Sequence, residues 1–235
     1  MKNTHIPVVT IDGPSGVGKG TVSLRVAKQL GWHTLDSGAM YRVLALAALQ
    51  TQVFLNNEKN LASLASHLDI QFVLLPDLSA TQVILNGQEV SQELRSESIG
   101  MAASQIAVFP KVRQALLIRQ RNFRQKPGLV ADGRDMGTIV FPDAPLKFFL
   151  TASIEERAQR RYKQLREQGL NANLSNLLVE IEERDKRDRT RALAPLIAAA
   201  EALTLDTTEI PIESVVARIL SIINEHLSAI DGTDN

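Results

Sequence analysis

The chain has 235 residues, 44% hydrophobic and 22% charged, with 26 basic and 26 acidic side chains that cancel to zero net charge. This is ordinary globular usage with enough apolar material for a core, and it provides no global field for DNA or an acidic membrane. Aromatics make up only 4%, too few for surfaces that stack single-stranded bases, and the lack of cysteine excludes disulfides and thiolate metal ligands.

No signal peptide is visible in the first four residues. The longest apolar helical run, near Val43 to Leu49, is too short to span a bilayer, so a cytoplasmic location is expected. The length allows one large domain or a domain carrying inserts. Ile6 to Ile11 reads as a buried parallel strand, closed by Gly13-Pro14-Ser15-Gly16. A helix follows from Lys19 to Leu30, with Val22, Val26, Ala27 and Leu30 on one stripe and Gly31 as its stop. Trp32 to Leu35 is a second short strand ending in Asp36-Ser37-Gly38, and a helix runs through Tyr41 to Gln50. Strand, glycine loop, helix and strand in that order open an α/β doubly wound fold.

From about Asn57 to Val90 the pattern changes. Ile70 to Leu74 and Thr81 to Leu85 alternate, and Asn86-Gly87 is a hairpin signal, so a small antiparallel insert is expected. A helix from Val112 to Phe123 resumes the α/β order, and between Lys111 and Lys126 six basic residues meet no acid. Gly128 to Ala131 is a buried strand ending in Asp132-Gly133-Arg134-Asp135, and Leu146 to Leu150 is the next strand. A basic helix, a loop from Gly169 to Asn173 and a long charged helix to Arg191 follow. Ala202 to Leu205 is the last strand and Ile212 to Leu227 the closing helix, with a frayed tail after Ser228.

Gly13 to Thr21 matches GxxxxGK at Gly13, Gly18 and Lys19, between a buried strand and an amphipathic helix, the context that a phosphate-binding P-loop requires. Glycines let successive N–H groups curl around phosphate oxygens. Lys19 adds a point charge, and the helix dipole helps. Gly20 stands where a general P-loop carries the Ser or Thr that binds Mg²⁺, and Thr21 comes one position late. That departure favours small-molecule and nucleotide kinases over GTPase-like switches. It also leaves Mg²⁺ to be held largely through phosphates and waters.

Other clusters carry acceptor-side chemistry, each with a plainer alternative. Arg42 suits bidentate phosphate binding, or is a solvated arginine at a helix start. Asp132 is placed to hold a metal-bound water and Arg134 to neutralise charge between phosphates, unless the turn is merely charged. Arg184, Asp188 and Arg191 share a helical face, while Asp185 and Arg189 form another i, i+4 pair; a solvated salt-bridged face would look the same. Arg157, Arg160, Arg161 and Lys163 precede Gly169 in a segment suited to closing on phosphates as a lid, with Arg157 assigned to ATP and Arg161 to catalysis. His5, His33, His67 and His226 are scattered and receive no role.

Five motifs in order, IDGPSGVGKGT, LDSGAMYR, AASQIAVFPKVR, ADGRDMGTIVFPDA and ERDKRDRTR, make the chain resemble the bacterial cytidylate (CMP) kinases. The resemblance implies ATP + (d)CMP → ADP + (d)CDP. The implied fold is a P-loop NTPase-type three-layer α/β core with a parallel sheet, an acceptor-side insert with a small antiparallel sheet, and a short lid. Ser37, Ser104, Arg113, Asp135 and Arg191 would then read cytosine, Arg42 and Arg134 would hold the acceptor phosphate, and Arg184 and Asp188 the ribose. Gly13, Pro14, Ser15, Gly16, Val17, Gly18, Lys19, Gly20 and Thr21 would bind ATP, with Lys19, Arg134 and Arg161 acting in catalysis. The implied division is core at 1–38, 105–153 and 171–235, acceptor region at 39–104 with the insert at about 64–103, and lid at 154–170. ATP and Mg²⁺ are the expected cofactors. A monomer is expected, without nucleic-acid or membrane partners. A kinase of shikimate or gluconate, or a nucleotide switch without an acceptor, would share only the P-loop.

Overall fold

The computed structural model describes residues 6–74, 81–167 and 169–232. His5, the 75–80 part of the expected hairpin, residue 168 of the lid and the end of the tail, 233–235, lie outside the described residues.

Five parallel strands form the central sheet: β1 (Val8–Asp12), β2 (His33–Asp36), β6 (Leu129–Gly133), β7 (Leu146–Thr151) and β8 (Leu203–Asp206), in the order β2-β6-β1-β7-β8. β1 and β6 are buried at every position, which is why they read as unbroken apolar runs rather than alternating ones. Helices α1 (Lys19–Leu30) and α8 (Ile212–Gly232) cover one face, with Val22, Val26, Val216 and Ile219 packed on Val9, Ile11 and Phe148. On the other face α2 (Ser37–Gln50), α4 (Glu97–Ile106) and α5 (Pro110–Arg121) bury Leu44, Ile106 and Leu116 with Leu35, Leu129 and Ala131. This is the expected three-layer α/β fold.

A second, antiparallel sheet joins β3 (Ile70–Leu74), β4 (Thr81–Leu85) and β5 (Gln88–Glu89). The Asn86-Gly87 turn has φ values of 49° and 80°, as a two-residue hairpin requires, but it links β4 to the short β5 rather than joining the two long runs. The insert leans on the core through Phe72 and Phe123, whose rings meet edge to face at 5.5 Å.

Several boundaries differ from expectation. α3 (Glu58–His67) and α4 lie where no helix was read, each started by a side-chain cap, Asn57 and Ser96. α2 begins at Ser37 rather than near Tyr41, because Asp36 accepts a hydrogen bond from Ala39 N at 2.9 Å and caps it. The closing helix runs to Gly232 instead of fraying after Ser228. The expected basic helix is present as α6 (Ile154–Glu167), packed on α7 (Leu174–Thr190). Arg191 lies just past α7, not within it. Its backbone is extended (φ −63°, ψ 139°), and Ala194 at φ 50° turns the chain ahead of Pro195, which disfavours helix in the residue before it.

Candidate active site

The strand register builds the site. Asp12 pairs with Gly133, and Asp36 with Asp132, so β1, β6 and β2 end side by side. The glycine loop, the Arg134–Asp135 segment and Ser37 therefore leave the sheet together, at the crevice where open α/β sheets bind ligands.

Gly13 has to lack a side chain, since a Cβ there would lie 2.2 Å from the Leu150 carbonyl oxygen on β7. Lys19 is buried at the first turn of α1, and its Nζ donates to the Pro14 carbonyl at 2.6 Å. Burial pushes the Lys19 pKa down to about 7, and Arg134 acts in the same direction, against the nearby carboxylates Asp132, Asp12 and Asp36. Burial also holds Asp132 well above the usual carboxylate range, reinforced by Asp36 beside it. A further cation next to this pair would lower its cost.

Eight of the nine acceptor-side residues line one cavity of about 60 Å³: Ser37, Ser104, Arg113, Arg134, Asp135, Arg184, Asp188 and Arg191. Arg113 pairs with Asp135, and its guanidinium sits 5.8 Å from the centre of the Tyr41 ring. Arg134 Nε donates to Asp188 at 2.8 Å. Burial is the strongest influence on both groups and works against their charges, yet the opposite charges around each, the partner foremost, together outweigh it, so the Arg134 pKa rises and that of Asp188 falls. Burial, with Arg134 and Arg42 nearby, lowers the Arg184 pKa to about 10. Ser104 Oγ, Arg184 Nε and Arg191 Nη2 are buried without a hydrogen-bond partner among the described residues. Orphaned polar atoms of this kind cost free energy unless a ligand or water meets them. The volume is far below the ~300 Å³ of ordinary ligand pockets, so as it stands the cavity is too small for a whole nucleotide.

The ninth residue, Arg42, faces a neighbouring cleft of about 450 Å³ that also touches Thr21, Asp132 and Arg161. Its Nη1 donates to the carbonyls of Leu94 (2.6 Å) and Ser96 (3.3 Å), so the end of the insert holds it in place. Arg161 Nη2 reaches Glu97 across this cleft at 3.0 Å. Arg157 points inward instead. It donates to the Ser15 carbonyl at 3.1 Å and pairs with Asp185.

Several of these partners had no sequence signal. Asp185 keeps its expected i, i+4 pair with exposed Arg189, at 4.0 Å, but its closer, buried partner is Arg157, which no spacing indicated. Gln120 donates to Ser37 Oγ at 3.2 Å from a helix whose charge pattern suggested only a basic surface. Arg160 bonds the carbonyl of Thr207 at 2.5 Å, beside a cavity of about 420 Å³ between Val17, Gly18, Pro211 and Ile212. Nothing in the local pattern distinguishes Thr207.

The family model described as Cytidylate kinase matches residues 9–225. A cytidylate kinase of Azotobacter vinelandii (strain DJ / ATCC BAA-1303) is 61% identical over 214 residues, covering 91% of this chain and 93% of that protein. One from Aeromonas salmonicida (strain A449) is 58% identical over 221 residues, or 94% and 95% of the two chains. The crystal structure of a gluconokinase from Sinorhizobium meliloti 1021 matches at 14% identity and a TM-score of 0.47, over 98% of this chain and 99% of that one.

Proposed function

The chain belongs to the cytidylate kinase family, and from that premise we propose that its site passes the γ-phosphoryl group of ATP directly to the phosphate of CMP or dCMP. An acceptor phosphate oxygen bonds to the γ-phosphorus as the β–γ bridging bond breaks in line with it, giving ADP and CDP or dCDP. No covalent enzyme intermediate is needed, so catalysis is positioning and charge stabilisation.

The observation that carries this reading is the single cavity shared by eight acceptor-side residues, reached at Gly133, the strand-end partner of the residue that leads into the P-loop. Cytosine presents an amino donor beside two acceptors, so its reader needs a carboxylate or hydroxyl next to guanidinium donors. Asp135 and Ser37 with Arg113, Ser104 and Arg191 are such a set. Arg42 and Arg134 hold the acceptor phosphate, and Arg184 with Asp188 the ribose. Lys19 exchanges its Pro14 carbonyl for phosphate oxygens, and Arg134 and Arg161 meet the charge that develops in transfer. The cavity beside Arg160 and Thr207 takes the nucleoside end of ATP. The acceptor region at 39–104, with its insert at about 64–103, and the lid at 154–170 close on the core at 1–38, 105–153 and 171–235.

Mg²⁺ fits this donor set. Among the described residues no group of three His, Cys, Asp or Glu surrounds a common point. The adjacent strand-end carboxylates Asp132 and Asp36 would bind metal-held waters, with the phosphates as direct ligands. When bound, the ion neutralises charge on the β- and γ-oxygens. Among the described residues no helix is long and apolar enough to cross a membrane. A monomer working in the cytoplasm on ATP and CMP, as a step of pyrimidine nucleotide metabolism and without nucleic-acid partners, accords with this chemistry.

The test is an acceptor panel of CMP, dCMP, UMP, AMP and shikimate with ATP–Mg²⁺. ADP release with CMP and dCMP, little with UMP and almost none without an acceptor is expected. Equal turnover of CMP and UMP would overturn the base assignment, and acceptor-independent ATP hydrolysis would point to a switch.

A further inference from the structure

Directly after Arg134 and Asp135 the chain forms one turn of π-helix, Met136–Val140, before reaching Phe141. Such wide turns are rare in isolation and cluster at functional sites. The start of any helical turn leaves backbone N–H groups unpaired, and the residue before it usually caps them with its own side chain. Asp135 holds that position, yet its side chain makes no capping bond; its carboxylate is paired with Arg113.

The cap comes from a distant strand. Asp12 is 4% exposed, and its two carboxylate oxygens accept hydrogen bonds from Met136 N at 2.9 Å and Gly137 N at 2.8 Å. The turn lies so close to β1 that a Cβ on Gly137 would be 2.9 Å from Thr10 Oγ1. Arg121 holds the opposite end, donating to the carbonyls of Val140 (2.9 Å) and Ile139 (3.1 Å). The register of β1 with β6 ends at the Asp12–Gly133 pair. Beyond that point the Asp12 carboxylate continues the connection between the two strands, across Arg134 and Asp135.

We infer that Asp12 is a positioning residue for the reaction. By capping the 136–140 turn in place of Asp135, it frees the Asp135 carboxylate to face the acceptor base and fixes Arg134 relative to the P-loop that begins at the next residue. It sets the distance between the loop that holds the donor and the segment that holds the acceptor. This inference rests on the cytidylate kinase reading of Arg134 and Asp135.

The test compares wild type with Asp12→Asn, which keeps the shape but places an amide N–H₂ against one of the two N–H donors. For the folded variant, kcat/KM for CMP should fall about 10- to 100-fold, chiefly through kcat. The CMP-to-UMP preference should drop by about 5-fold or more, because Asp135 is no longer held away from the turn. The Kd for ATP, measured by calorimetry without acceptor, should change less than kcat does: both Asp12 hydrogen bonds go to the 136–140 turn, and only the loss of its charge near Lys19 is felt at the P-loop. A merely structural loss would not divide in this way. Should Asp12→Asn fail to fold, Asp12→Glu keeps the charge on a longer stem and carries the same split at smaller size. Unchanged kcat/KM and unchanged base preference in a folded variant would overturn the inference, as would an ATP affinity loss as large as the kcat loss. If wild type itself fails to phosphorylate CMP, the functional reading fails, and that result is separate from any difference between wild type and variant.

Discussion

Arg157 on α6 and Asp185 on α7 form a two-pronged ion pair, Nη1–Oδ1 at 3.0 Å and Nη2–Oδ2 at 2.7 Å, with side chains only 4% and 6% exposed. The same guanidinium donates to the Ser15 carbonyl of the P-loop. The start of α6, the middle of α7 and the glycine loop thus meet at one buried point. Further along α6 the Arg161–Glu97 pair is more open, with Glu97 partly exposed, and so contributes little to stability.

Breaking the pair should be expensive. Asp185→Ala leaves a buried guanidinium uncompensated and should lower unfolding stability by about 3–5 kcal/mol. Urea denaturation of the unliganded protein measures this, and a loss below about 1 kcal/mol would show that water reaches the pair. Arg157→Ala should cost a similar amount, and the double variant much less than the sum of the two.

Arg134 contacts the acceptor-side Asp188 yet lies close enough to influence the Lys19 charge. Arg134→Ala should cut kcat about 100- to 1,000-fold while the ATP KM moves less than about 3-fold, as expected for a donor acting mainly on the transition state. An unchanged kcat, read in a coupled ADP-release assay, would remove Arg134 from that role.

Asp135→Asn replaces a pure acceptor by an amide that also donates. A mismatch with a buried base edge costs about 1–3 kcal/mol, so the ratio of CMP to UMP turnover should fall about 5- to 150-fold. Competing CMP and UMP in one reaction reads the ratio directly. A ratio that stays at the wild-type value would mean that the base is read elsewhere.

Burial holds the Lys19 pKa at about 7, so above that pH the amine is mostly neutral in the free protein. Phosphate oxygens favour the ammonium form and restore a higher pKa in the complex. ATP binding at pH 8 should therefore take up close to one proton at Lys19, and at pH 6, where the free amine is already charged, almost none. The difference between wild type and Lys19→Met, from calorimetry in two buffers of unlike ionisation enthalpy, isolates the effect. A difference equal at both pH values would place the proton elsewhere.

Much of the site was legible in the sequence wherever its parts are neighbours along the chain. Gly13 to Lys19 announces itself because a loop between a buried strand and a helix has to make its phosphate cradle from consecutive amides. The hairpin turn at Asn86-Gly87 was equally local, since φ above zero at two successive residues suits few residue types. Helices α3 and α4 are less legible because each is only ten residues long, even though both carry an apolar stripe that packs on α5 and α2. Arg191 was correctly drawn to Asp188 but for the wrong geometric reason, its backbone having already left the helix.

The order of residues by itself determined the phosphate loop, the alternation of strands and helices, and, through five motifs, the family. Each of these depends on short-range backbone geometry or on side-chain types at fixed spacing. Only the tertiary structure decided which charge meets which. Arg157 found Asp185, although 28 residues separate them. Arg42 became tied to carbonyls more than 50 positions away, and Asp12 capped a turn 124 residues further on. Such choices follow burial: a charge removed from water must take the partner that the packed elements bring within about 3 Å, and spacing along the chain does not encode that distance.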